Sequence, residues 1–158
     1  MREVLSFAAA VAGWLVLEFV GRPFRRFYDL RGEVIQELVR HANVPARYKE
    51  LRDSSGATSG DVTDLGLSEE QIRKLDAALD SFRMLASRMS AFAGNETVAL
   101  LVAQALGYNP AKASSGLIGL SNTRDTYGPE RNFHLKTLAS ALKLKDVPGL
   151  VPDVPRKA

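Results

Sequence analysis

From Val4 to Leu17 the chain carries no charged residue, and Ser6 is the one markedly polar side chain in that run. With Phe19 and Val20 added, Glu18 alone interrupts it. A helix through Val20 would measure about 26 Å at about 1.5 Å per residue, close to the thickness of a bilayer's hydrocarbon core. Three readings of the run compete. A cleaved signal peptide needs small residues just beyond its apolar core. Here Ala8, Ala9, Ala10 and Ala12 lie inside the core, and Glu-Phe-Val-Gly-Arg follows it. A buried core helix is the second reading, because the run is at the short end for a span. An uncleaved transmembrane anchor over residues 1–21 fits best. Glu18 sits near its end, where a carboxylate reaches the headgroups at well below the midplane cost.

The flanks predict an orientation. Before the run Arg2 is offset by Glu3, whereas Arg22, Arg25 and Arg26 follow it closely. Cytoplasmic flanks carry the excess of Lys and Arg, so the N-terminus is expected outside and the rest of the chain in the cytoplasm. The overall charge agrees. Of the formal net +3, residues 21–52 hold eight basic and four acidic side chains, while residues 53–158 hold twelve of each. A basic face spread over a folded domain would suit nucleic acid; a cluster beside an apolar run suits anionic lipid headgroups. The expected partners are therefore the bilayer and a protein or second copy, with no nucleic acid.

Residues 22–52 read as a basic juxtamembrane helix. Pro23 suits its first turn, and Phe24, Phe27, Val34, Ile35 and Leu38 recur at helical spacing. Two roles are open for its aromatic start. Arg22, Phe24, Arg25, Arg26, Phe27 and Tyr28 have the composition of a membrane-interface belt, rings at headgroup depth and guanidinium groups on phosphates. The same rings also suit an amphipathic helix facing a domain.

With 46% hydrophobic and 25% charged residues in 158, the chain as a whole has the composition of one globular domain. Residues 53–66 are expected to be a flexible loop of small residues, residues 67–144 a helical bundle, and residues 145–158 a Pro-rich tail. Within the bundle Ser68 and Gln71 make a capping-box pattern. Ile72, Leu75, Leu79, Phe82, Ala86, Met89 and Ala93 form an apolar stripe that Leu85 and Phe92 widen, as burial in a bundle requires. Gly94 and Asn95 are expected to end this helix and cap the next, and Asn109-Pro110 to start another. Gly116 and Gly119 predict close helix packing. Phe133, Leu138 and Leu142 are core candidates in the last helix. The fold class expected is all-α: a transmembrane helix followed by about five bundled helices.

Chemistry is sparse. With no cysteine there are no disulfides or thiolate nucleophiles. His41 and His134 do not sit in a metal-ligand pattern, and phosphate loops, nucleophile elbows and zinc signatures do not occur. No catalytic residue, metal or cofactor is assigned. The densest polar stretch is "SNTRDTYGPERNFH", and a ligand site, if the chain has one, is expected there on Asn122, Arg124, Asp125, Tyr127, Arg131 and His134.

The stretch "RPFRRFYDLRGEVIQELVRHANV" together with "GLIGLSN" resembles small bacterial single-span membrane proteins. That resemblance implies an N-terminal anchor in a bacterial inner membrane and a cytoplasmic helical domain; it supplies no activity and no functional residues. The function expected is a membrane-anchored, non-catalytic interaction or accessory subunit. A membrane-tethered ligand sensor using residues 121–134 is the alternative, and an enzyme the third.

Overall fold

Pro23 lies inside a continuous helix, not at the start of a new one. In the computed structural model, which describes residues 2–42, 68–123 and 129–148, α1 (Arg2–Val16) runs through a π-helical turn (Leu17–Gly21) into α2 (Arg22–Arg40). The sequence suggested a break at residue 21, but Gly21 keeps helical angles (φ −64°, ψ −47°). A proline inside a helix lacks one N–H and crowds the carbonyl four residues earlier, here Phe19. The wider turn just before it accommodates this: the Arg22 N–H donates to the Leu17 carbonyl, five residues back. The loop expected over residues 53–66, and residues 43–52 of the expected juxtamembrane helix, lie outside the described residues.

All regular structure among the described residues is helical. α3 (Glu69–Asn95), α4 (Thr97–Ala105), α5 (Pro110–Asn122) and α6 (Pro129–Leu142) complete it. The Ser68 Oγ accepts from the Gln71 N–H at 3.3 Å while the Ser68 N–H donates to Gln71 Oε1 at 2.9 Å, the reciprocal cap read from the sequence. Asn109 Oδ1 likewise accepts from the Lys112 N–H at 2.9 Å, with Pro110 next. The α3–α4 junction differs from expectation. Gly94 and Asn95 both stay in α3, and Glu96 (φ −107°, ψ 62°) alone makes the turn, capping with no side-chain bond. Gly107 at φ +80° then turns the chain toward α5.

The bundle is layered around α5, which packs on α3 on one side and α6 on the other. Small residues allow this. A Cβ at Gly116 would lie 3.3 Å from the His134 carbonyl oxygen, and one at Gly119 would clash with the His134 ring at its Nδ1. The close approach expected of these glycines is thus made by α6. Buried Ser114 donates to the Ala86 carbonyl of α3 at 2.8 Å. On α3, Leu75, Leu79, Phe82, Leu85, Ala86, Met89 and Phe92 are all buried, which makes the wide stripe a core face. α2 joins the same core through Phe27, Leu30, Val34 and Leu38.

Phe133 is a correction: it is 65% exposed, while Leu135, Leu138 and Leu142 fill the α6 core face. At about 100° per residue, positions nine apart lie roughly on opposite sides of a helix, so Phe133 and Leu142 do not share one face.

α1 stands apart from this core. Val4, Phe7, Trp14, Val16, Leu17 and Phe19 are all more than half exposed, and none of the most apolar window is buried. The core helix of a soluble domain is mostly buried, whereas no described residue covers this window. Among the described residues one helix is long and apolar enough to cross a membrane.

Candidate membrane interface

The end of the apolar run is built around an ion pair. Glu18 and Arg22 are one helical turn apart, and the Arg22 Nη1 donates to Glu18 Oε1 at 2.6 Å. The one carboxylate at that end of the run is thereby matched by a guanidinium that stays largely in solvent. Arg25 and Arg26 are exposed on the next turn. Arg26 reaches Glu96 at 3.3 Å and so ties α2 to the residue where α3 turns into α4. Three guanidinium groups consequently share one face of the helix just beyond its apolar segment.

The aromatic residues of the expected belt divide between two environments. Tyr28 is 42% exposed and Phe24 half-buried against the core, but Phe27 is fully buried. Phe27 is therefore not a membrane-interface residue. It shares its helix face with Leu30, Val34 and Leu38, and its ring lies 5.5 Å from Phe92 and 5.2 Å from Tyr108. Phe24 and Tyr28 stack edge to face at 5.1 Å, and the Tyr28 hydroxyl lies 3.4 Å from that of Tyr108. The Lys143 ammonium sits over the Tyr108 ring at 5.4 Å. These rings fasten α2 to α3 and to the α4–α5 turn directly beneath the arginines.

Two shallow grooves open beside this region. One, of about 260 Å³, lies between α2 and α3 and is bordered by Arg26, Arg88, Asn95 and Glu96. Arg88 holds both carboxylate oxygens of Glu33, one at 2.9 Å, and that hydrogen bond raises its pKa above the ordinary guanidinium value. The other groove, of about 540 Å³, lies between α3 and α5 and is bordered by Arg83, Ser87, Ser90, Asn95, Ser121 and Asn122.

The residues expected to bind a ligand are not gathered at one point. Arg124, Asp125 and Tyr127 lie outside the described residues. Asn122 borders the α3–α5 groove together with Ile118, four residues earlier. His134 is on the other side of α5, its ring seated on Gly119 and 5.4 Å from Phe133. Arg131 is half-buried on α6. Among the described residues no three His, Asp or Glu side chains come together as metal ligands.

Two features went unremarked in the sequence. His41 is buried and its Nε2 lies 3.0 Å from Glu37 Oε2, with its ring edge-on to Phe82 at 5.9 Å. The signal was a carboxylate one turn before the histidine. The second is α4, where Val98, Leu101 and Leu106 are about half exposed or more. Its signal was a stretch from Thr97 to Ala111 without a single charge. Compared with known protein families, curated proteins and solved structures, the chain matches none.

Proposed function

We propose that this protein is a membrane-anchored, non-catalytic interaction or accessory subunit, held by α1 in a bacterial inner membrane with its helical domain in the cytoplasm. The observation that carries this is the exposure of an apolar helix around its whole circumference. Leaving a Val, Leu or Phe side chain in water instead of burying it forgoes about 1.5–3 kcal/mol. α1 exposes several, so it needs a covering that the described residues do not provide, and lipid is one that matches its length. The orientation is supported by the arginines at 22, 25 and 26 against an offset pair at 2 and 3. The interaction role is supported by a helical body packed onto α2 just beyond the arginines, with grooves open beside it.

The test is extraction of membranes with alkaline carbonate. The chain should stay in the pellet at its uncleaved mass, and deletion of residues 1–21 should release it. Recovery of a shortened soluble product from the full chain would refute the anchor. Purification in mild detergent followed by mass spectrometry then separates a protein partner from a bound metabolite. A metabolite would favour the ligand-sensing reading, which the polar groove at Asn122 supports.

A further inference from the structure

α4 is built inside out. Its buried residues are Ala99 and Ala103, while Val98 is 50% and Leu101 60% exposed. Val98, Leu101 and Ala105 lie on one face, at spacings of three and four, opposite the two buried alanines. A helix on the wet surface of a domain does the reverse, turning its large apolar side chains inward. Among the described helices, α1 is the other that exposes its large apolar residues in this way.

The position of α4 says what covers that face. α4 packs beside the π-turn Leu17–Gly21, the last turn of the apolar run. Its start is fixed there by Glu96, which receives Arg26 of the same helix. At its other end the Lys143 ammonium donates to the Leu106 carbonyl at 2.6 Å. Neither a charge on α4 nor one in the following turn opposes burial in hydrocarbon, since the first charged residue after Glu96 is Lys112. Arg26, paired with Glu96 at the start of α4, and Lys143 at its end place a cation at each end of the helix, as suits one lying at the level of anionic headgroups.

We infer that α4 is a second membrane element, lying in the cytoplasmic leaflet beside the anchor with Val98 and Leu101 among the acyl chains. It rests on the anchor reading and adds to it. The domain would be seated on the bilayer at two points and fixed in orientation, not suspended from a single helix. A second copy of the chain or a protein partner on the same face would be a different outcome.

The absence of native cysteine permits a direct test on the full chain. Leu101→Cys, Leu17→Cys and Asp80→Cys are each spin-labelled in vesicles of phosphatidylcholine and phosphatidylglycerol. Relaxation by oxygen, which concentrates in lipid, is compared with relaxation by a water-soluble nickel complex. The label at 101 should favour oxygen several-fold over the label at 80, as the label at 17 should. If 17 reads as lipid and 101 as water, the inference falls and the anchor stands. If 17 also reads as water, the anchor reading fails and the inference with it. Spin–spin broadening at 101 that disappears on dilution with unlabelled protein would assign the face to a second copy and overturn the inference.

Discussion

Arg31 of α2 donates from Nε to the carbonyl oxygen of Leu142 at 2.9 Å, across 111 residues of sequence. Its Nη2 reaches the Lys143 carbonyl at 3.3 Å. The last carbonyls of a helix have no partner within it, and here one guanidinium serves two at the end of α6. The helix that continues the apolar span is thereby bonded to the last helix of the bundle. Arg31→Ala should lower stability by about 1.5–3 kcal/mol, the range for hydrogen bonds to charged groups, toward the low end because the site is partly open to water. Arg31→Lys should restore only part, since an ammonium cannot span both carbonyls as a planar fork does. Thermal unfolding in mild detergent measures both; parental melting in Arg31→Ala would show the bonds to be idle.

Phe82 is 1% exposed at the centre of the α3 stripe and touches His41 across the core. Truncation to Ala should cost about 3–5 kcal/mol, much of a small domain's stability. Arg83, next in sequence but largely exposed and paired with Asp80, should tolerate Ala within about 0.5 kcal/mol. Denaturant titration of the two variants side by side distinguishes core from surface. If Phe82→Ala unfolds like the parent but no longer self-associates, the stripe is a docking face.

The glycines of α3 and α5 should respond in opposite directions. At Gly94 nothing lies within 4 Å of an added Cβ, so Gly94→Ala should stabilise by about 0.5–1 kcal/mol through helix propensity. At Gly119 the Cβ would displace His134, and overpacking of this kind costs about 1–3 kcal/mol. Adding His134→Ala to Gly119→Ala should recover part of the loss. Additive losses in that pair would mean that the contact is not what limits residue 119.

Arg22, Arg25 and Arg26 should set orientation and lipid attraction together. Replacing all three by Glu should weaken binding to anionic vesicles by about 1 kcal/mol per basic residue removed. The same variant should reduce the signal of a cytoplasm-dependent reporter fused after Ala158. Unchanged topology and unchanged vesicle binding would leave the cluster without a membrane role.

Features confined to a few neighbouring residues were legible in the sequence. The Ser68 box and the Asn109 cap depend on atoms within three residues, and the α3 stripe depends only on helical period. The apolar run of α1 needs nothing beyond its own composition. The continuity of the helix through Gly21 is not legible there, because proline more often starts a helix than sits inside one, and the π-turn that admits it involves backbone bonds with no side-chain signature. The angle between Phe133 and Leu142 is legible in the numbering, and it puts the two on opposite sides of α6. Other matters were decided only when the helices met. Phe24, Phe27 and Tyr28 are alike in sequence, yet Phe27 alone is wholly buried, because Phe92 and Tyr108 close over it from other helices. Gly119 owes its role to His134 on α6, and which face of α4 is covered depends on its packing beside Leu17–Gly21, α2 and α3. Periodicity states that a helix has two faces, but which face is covered depends on neighbours distant along the chain, whose positions are fixed only by the packed fold.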